Sequence, residues 1–257
     1  MKGFCPLASG SKGNCLYFGS SEKKILIDVG ISCRALNLRL QEIGVSLDEI
    51  DAIFVTHDHT DHIAGLKVVT SRYQIPIVAN SETAKGIVTT LGVCPSFKIF
   101  STGESFTYGD IEVSTYSIPH DTMDPVGFTF THDGVKWGVC ADLGFATPLV
   151  AQRLKGCDYL YLEANHEPDL VHHSKRPMVY KQRVLGRTGH LSNQACGELL
   201  RGIYHPGLKH VYLAHLSGEC NQPELALEKV GSYLAREGVS IEMSIAWQAE
   251  VSLFLAR

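Results

Sequence analysis

Apolar residues along this chain form two kinds of pattern, short continuous runs and sets with helical spacing. The runs alternate with the helical sets in both halves of the chain. Runs rich in β-branched and aromatic residues predict buried strands at 50–56, 157–164 and 208–216, after a β-rich entry over Phe4–Val29. Segments 105–118 and 127–142 resemble hairpins, the second with an Asp-Gly turn signal. Helical spacing predicts helices over Cys33–Ile43, about Ile63–Tyr73, from about Ser81, over Asn193–Tyr204 and over Gln222–Arg236.

The composition is typical of one large α/β domain, which we expect to span residues 1–257. The chain is 44% hydrophobic and 19% charged with a net charge of −4, so contact with nucleic acid requires a local basic patch. The first residues contain no apolar signal core and no stretch approaches the roughly 20 apolar residues of a membrane helix, which predicts a cytoplasmic protein without a membrane partner. Eight cysteines without a C-x-x-C pair exclude a zinc ribbon.

The densest chemical signal is the segment THDHTDH at 56–62, directly after a predicted buried strand. His57 and His59 are two residues apart on an extended segment and can meet one metal ion, while Asp61 and His62 can reach a second. A solvated polar loop is the alternative. Four potential metal ligands within six positions favour a metal centre.

Three further candidates lie at the ends of predicted strands, where functional loops are commonly attached to a scaffold. They are His120, Asp142 and His215. Taken alone, a histidine at the end of a strand is more often structural. Their recurrence after the dense histidine cluster favours metal binding.

The order of these residues resembles that of the metallo-β-lactamase superfamily: an aspartate, His-x-His-x-Asp-His, then a histidine, an aspartate and a final histidine. The resemblance implies a four-layer αββα sandwich that holds two divalent ions (Zn, Mn or Fe). It implies that Asp142 bridges both ions, that Asp61 is also catalytic and that Asp28 orients a ligand, while His166 has either an orienting or a substrate-facing role. The implied ligands are His57, His59 and His120 for one ion and Asp61, His62 and His215 for the other.

Within the superfamily, LASGSKGN, HDTMDPVGF, EANHE and GHLSN are similar to segments of the YycJ (WalJ) group, related to the RNase Z and RNase J nucleases. The interval from Asp142 to His215 is too short for the second domain of RNase J. The resemblance implies a metal-dependent DNA exonuclease or other phosphodiesterase, with DNA preferred over RNA. Two alternatives remain: a hydrolase of a lactone, thioester or cyclic phosphodiester, and a non-enzymatic regulatory protein that carries metal.

Two further sets of residues bear on a phosphodiester substrate. His190 precedes a predicted helix, where RNase Z-like proteins place a histidine that would protonate the leaving oxygen. Ser192 and Asn193 can bind phosphate at that helix N-terminus or simply cap the helix. The segment 170–190 lacks acidic residues after Asp169 and is either a nucleic-acid contact or a solvated loop. Its basic residues are Lys175, Arg176, Lys181, Arg183 and Arg187.

Overall fold

The computed structural model describes residues 1–256 and contains two mixed β-sheets with packed helices, as the alternation of apolar patterns predicts. The chain divides into two compact units. The first comprises residues 1–114, 122–126 and the chain from 246 onward, and the second comprises residues 115–121 and 127–245. The expectation of one domain over 1–257 stays a prediction. Among the described helices, none is long and apolar enough to span a bilayer.

The strands, in chain order, are β1 (Gly3–Ala8), β2 (Cys15–Gly19), β3 (Lys24–Ile27), β4 (Ala52–Phe54), β5 (Ile77–Asn80), β6 (Phe97–Phe100), β7 (Ser105–Tyr108), β8 (Ile111–Ser117), β9 (Val126–His132), β10 (Val135–Cys140), β11 (Tyr159–Glu163), β12 (His210–Ala214), β13 (Met243–Ile245) and β14 (Leu255–Ala256). The helices are α1 (Cys33–Glu42), α2 (Thr60–Ile63), α3 (Leu66–Tyr73), α4 (Ser81–Leu91), α5 (Pro148–Leu154), α6 (Pro168–His173), α7 (Met178–Leu185), α8 (Asn193–Ile203) and α9 (Pro223–Arg236).

The sheet of the first unit has the strand order β14-β1-β2-β3-β4-β5-β6. Strands β3 to β6 are parallel, and their apolar side chains pack with those of α1, α3 and α4 into one buried cluster. The predicted helix over Ile63–Tyr73 is divided into α2 and α3 near Gly65. A Cβ at Gly65 would lie 2.1 Å from the carbonyl oxygen of Ile31, so this close approach requires glycine.

The second sheet has the order β13-β12-β11-β10-β9-β8-β7. Strands β10 to β13 are parallel, whereas β9 and β10 form the predicted hairpin. Asp133 and Gly134 both have positive φ angles, of 49° and 73°, as a type I′ turn requires. In the second unit α5, α8 and α9 contribute apolar residues to a buried core with β11 and β12.

The segment that carries the basic residues is more ordered than a solvated loop. It contains α6 and α7, whose Val171 and Val184 are buried with Cys220. Pro168 occupies the first position of α6, where proline is favoured. Both helices are short and each has a single buried residue, which explains why apolar spacing did not predict them.

Candidate metal centre

In the first unit, β4 and α2 bring the four predicted ligands of the histidine motif together. His57 and His62 are buried, and their rings lie 4.1 Å apart between centroids, while His57 and His59 are separated by 4.8 Å. His59 is the N-cap residue of α2, so Asp61 and His62 fall within its first turn. Nitrogen and oxygen donors of this kind suit a divalent first-row metal.

Asp28 holds this cluster in place from the end of the neighbouring strand β3. Its Oδ1 accepts a hydrogen bond from the Thr56 amide at 2.9 Å, and its Oδ2 accepts one from the Thr56 hydroxyl at 2.9 Å. Nδ1 of His62 lies 2.8 Å from the same Oδ2, and Nδ1 of His57 lies 3.0 Å from the Thr56 hydroxyl. Because both histidines use Nδ1 for these contacts, each presents Nε2 as a potential metal ligand.

Asn14, which the sequence did not single out as a site residue, contacts the same cluster. Its backbone N–H donates to the backbone carbonyl oxygen of Asp61 at 2.7 Å. Its Nδ2 lies 3.3 Å from Oδ2 of Asp61 and 3.0 Å from Nε2 of His62. Asn14 therefore lies against two predicted ligands, and a metal ion bound at Nε2 of His62 would replace the contact of Asn14 with that nitrogen.

In the second unit, the carboxyl ends of the parallel strands β10, β11 and β12 bring Asp142, Glu163 and His215 together. Nδ1 of His215 lies 3.0 Å from Oε1 of Glu163 and 3.3 Å from Oδ1 of Asp142. His190 joins them, with Nδ1 at 2.9 Å from Oε1 of Glu163 and 3.4 Å from Oδ1 of Asp142. Donor atoms of all four residues lie within 4.8 Å of one another, a spacing that can hold a metal ion.

His120 lies beside this group. Its Nδ1 is 3.2 Å from the carbonyl oxygen of Gly189. Because a carbonyl oxygen only accepts hydrogen bonds, Nδ1 carries the proton in this contact. Its Nε2 lies 3.9 Å from Oδ1 of Asp142. The second unit therefore collects the three strand-end residues that the sequence predicted, namely His120, Asp142 and His215.

Glu163 is the main residue of this group that the sequence analysis missed. It is fully buried. Its Oε2 accepts from the amides of Leu143 at 2.9 Å and Leu191 at 3.0 Å, while Oε1 receives both histidine contacts. An ionised carboxylate has about four acceptor sites, and four contacts occupy them. We therefore regard Glu163 as the residue that orients His190 and His215.

The charge distribution supports this role. Burial by itself raises the pKa of Glu163, but the charge and hydrogen bond of His190, with the hydrogen bond of His215, outweigh burial and lower it. Burial by itself lowers the pKa of His190, whereas Glu163 and then Asp142 raise it above its usual value. Glu163 therefore favours the protonated form of His190, which is the form that donates a proton.

The remaining predicted residues of the second unit make internal contacts. The Ser192 side chain caps α8 by accepting from the Ala195 amide at 3.2 Å. Asn193 is fully buried, and its backbone N–H donates to the backbone carbonyl oxygen of His166. His166 is buried, its pKa is lowered to about 4 mainly by that burial, and its Nδ1 has no partner among the described residues. Phosphate binding by Ser192 and Asn193 stays a prediction.

Most of the basic side chains predicted to contact nucleic acid have partners in the second unit. Arg176 pairs with Glu219, and Arg183 lies 2.5 Å from Asp121. Lys181 donates to the carbonyl oxygen of His172 at 2.6 Å, and the Arg187 guanidinium lies 4.0 Å from the ring centre of Phe145. Lys175 is exposed. Two of the five charges are thus balanced by carboxylates, which reduces the positive potential of this segment.

Known proteins identify the family. Residues 23–216 match the family described as the Beta-lactamase superfamily domain. The chain is 34% identical to the exodeoxyribonuclease YycJ of Bacillus anthracis over 93% of this chain and 91% of that protein. The chain belongs to this superfamily, within the YycJ/WalJ group. The exodeoxyribonuclease WalJ of Streptococcus pneumoniae is 33% identical over the same shares of the two chains.

Solved structures confirm the predicted metallo-β-lactamase fold. The metallo-β-lactamase fold protein YhfI of Bacillus subtilis superposes on this chain with a TM-score of 0.73 at 16% identity, and the match covers 97% of this chain and 99% of that one. Yeast PDE1 gives 0.72 at 15% identity, covering 99% and 100%. The sequence relatives confirm the prediction of a metal-dependent hydrolase of the nuclease and phosphodiesterase class. The buried histidines and aspartates fit the divalent metal that this family implies.

Proposed function

We propose that this protein is a DNA exonuclease with two divalent metal ions. Its YycJ relative, named an exodeoxyribonuclease, matches nearly the whole chain, which is the observation that carries the proposal. From the family pattern, we assign one ion to His57, His59 and His120 and the other to Asp61, His62 and His215, with Asp142 shared by both. Zn²⁺, Mn²⁺ and Fe²⁺ all suit these donors. A cytoplasmic location stays a prediction.

The residues of this chain divide the chemistry of phosphodiester hydrolysis among them. Divalent ions, when bound, would lower the pKa of water and stabilise charge on the phosphate oxygens. Asp28 and Thr56 would hold His57 and His62 with Nε2 available. Glu163 would hold His190 through Nδ1, so that Nε2 of His190 can deliver a proton to the leaving oxygen. A positioned general acid of this kind contributes about 10²- to 10⁴-fold in rate.

The test is digestion of 5′-labelled DNA and RNA, each single- and double-stranded, with Mn²⁺ or Zn²⁺ supplied. We expect stepwise shortening of DNA by the wild-type protein. The Asp61→Ala protein should lose cleavage and bind less metal, while Glu228→Ala, which changes an exposed carboxylate of α9, should match the wild type. Cleavage that survives in Asp61→Ala would indicate a contaminating nuclease or a mechanism without the second ion.

Other outcomes assign the alternatives. Cleavage of RNA but not of DNA would overturn the substrate while leaving the phosphodiesterase class intact. Failure on every nucleic acid, with hydrolysis of a lactone, thioester or cyclic nucleotide, would identify a small-molecule hydrolase. Metal binding without hydrolysis of any of these substrates would support the non-enzymatic alternative.

A further inference from the structure

Two segments that are far apart in the sequence, the loop 9–14 and the C-terminal segment 247–252, hold each other in the first unit. The Ser9 amide donates to the carbonyl oxygen of Trp247 at 3.0 Å. The Lys12 amide donates to Oε1 of Gln248 at 2.8 Å, and Nε2 of Gln248 donates to the carbonyl oxygen of Gly13 at 2.9 Å. The amide side chain of Gln248 therefore binds the loop at two points.

The same loop reaches the predicted metal ligands at its other end. Asn14 contacts Asp61 and His62, as described above, and its Oδ1 accepts from the Gly10 amide at 2.7 Å. A Cβ at Gly13 would lie 2.6 Å from the carbonyl oxygen of Gly30, so the loop packs tightly against the chain that follows β3. Loop 9–14 therefore links Trp247 and Gln248 to the candidate metal centre through a short series of direct contacts.

The outer surface of these two segments carries an exposed aromatic ring and an exposed cation. Trp247 is 38% exposed, whereas Trp137, the other tryptophan, is 3% exposed. Lys12 and Ser11 are exposed on the loop. Sequence-tolerant binding of single-stranded nucleic acid uses an aromatic ring for base stacking and a cation for the phosphate. The LASGSKGN segment, which distinguished this group in the sequence, supplies the cation.

We propose that Lys12 and Trp247 form a binding site for a single-stranded DNA nucleotide close to the scissile phosphate. This proposal rests on the proposed nuclease function. Trp247 stacks on a base, Lys12 pairs with a backbone phosphate, and Gln248 keeps the two segments in register. Glu250 is also exposed on the C-terminal segment, so stacking rather than net charge supplies most of the affinity.

The experiment uses the metal-loaded protein with a phosphorothioate oligothymidylate that resists cleavage. In a Trp137→Phe background the tryptophan emission comes from Trp247, and we expect the oligonucleotide to quench it. Trp247→Ala should weaken binding, measured by anisotropy of a labelled oligonucleotide, by about 5- to 150-fold, as expected for the loss of one base stack. Lys12→Ala should reduce the slope of log K against log salt by about one.

The matched control is Leu253→Ala, because Leu253 is 50% exposed near the same segment and lacks a stacking ring. It should bind as the wild type does. On cleavable DNA, Trp247→Ala should raise KM while leaving kcat within about threefold, and Trp247→Phe should restore part of the affinity.

The outcomes separate this proposal from the proposed function. The nucleotide site is refuted, and the nuclease stands, if the wild type cleaves DNA while two results hold. Trp247→Ala binds the oligonucleotide as tightly as Leu253→Ala does, and the oligonucleotide does not quench the Trp247 emission of the Trp137→Phe protein. If the wild-type protein neither binds nor cleaves DNA, the proposed function fails and the nucleotide site fails with it.

Discussion

Replacing Glu163 with glutamine tests how the second unit prepares its histidines. The substitution keeps the shape of the side chain and exchanges one acceptor oxygen for an amide group that donates. In the native protein one oxygen faces the Nδ1 atoms of His190 and His215, and the other faces two backbone amides. Four donors therefore surround Glu163. In either orientation, the NH₂ group of a glutamine would face two of these donors.

The cost depends on the orientation that the glutamine adopts. If its NH₂ group faces the amides of Leu143 and Leu191, two buried donors lose their acceptor at about 1–3 kcal/mol each, or about 2–6 kcal/mol together. If its NH₂ group faces the histidines, their Nδ1 atoms must become acceptors, which moves the proton to Nε2. A protonated Nε2 on His215 cannot bind metal, and a neutral His190 with that proton is a weaker acid than the imidazolium.

We expect Glu163→Gln to lower kcat by about 10²- to 10⁴-fold, the range for loss of a positioned general acid. The assay is steady-state cleavage of labelled DNA, with metal content measured by mass spectrometry and unfolding followed by circular dichroism. Glu167→Gln is the matched control, because Glu167 is partly exposed and its carboxylate accepts one long contact, at 3.4 Å, from Asn193 of the described residues. That control should keep kcat within about threefold of the wild type.

A double-mutant cycle keeps the prediction testable if Glu163→Gln is also less stable. Where Glu163 acts through His190, Glu163→Gln combined with His190→Ala should be no slower than His190→Ala alone at equal metal content. Fully additive losses would show that the two residues act independently. Wild-type kcat and metal content in a folded Glu163→Gln protein would refute the orienting role.

Two further predictions concern packing and thiol chemistry. Gly30→Ala should inactivate or unfold the protein, because the new Cβ would lie 1.6 Å from the carbonyl oxygen of Asp61. Gly202→Ala is the matched control on α8, where a Cβ meets open space, and it should raise the free energy of unfolding by about 0.4–1 kcal/mol. Thermal unfolding and DNA cleavage measure both, and a stable, active Gly30→Ala protein would contradict the packing argument. Cys94 should be the one thiol per chain that reacts quickly with a disulfide reagent, because the other seven cysteines are buried and burial raises the pKa of Cys5, Cys140 and Cys157 to about 12. Release of more than one equivalent from the folded protein would show that a buried thiol is accessible.

The sequence predicted the strands that carry the candidate ligands because such strands show local patterns of apolar residues. The histidine motif follows a short buried strand, and the aspartate and histidine at 142 and 215 follow strands β10 and β12. Glu163 ends the strand between them, so the same strand-end pattern was present in EANHE. Its importance could not be predicted, because it arises from the parallel register that pairs Cys140 with Leu162 and Glu163 with Ala214.

Asn14 and the basic segment show two other limits of sequence reasoning. The role of Asn14 depends on the close packing of Gly13 and Gly30, a contact between residues far enough apart that no periodicity indicates it. The run of lysines and arginines suggested a positive surface because the sequence shows charges without their partners. Glu219 and Asp121, which pair with Arg176 and Arg183, lie 43 and 62 residues away in the chain.

Backbone conformation adds evidence that side-chain patterns could not supply. Asp28, Asp142 and His215 have φ angles of 59°, 58° and 52°, a left-handed region that costs a residue with a Cβ free energy. Glycine would adopt it without that cost, yet each position carries a side chain that we assign as a metal ligand or as an orienting group. The sharp turn after each strand directs these side chains while the preceding residues remain in the sheet. Gln74 and Asp133 share this region, but Gln74 ends α3 and Asp133 lies in the turn between β9 and β10. Three of the five such non-glycine residues in the described part of the chain are therefore ones assigned to metal chemistry from the sequence, which supports that assignment.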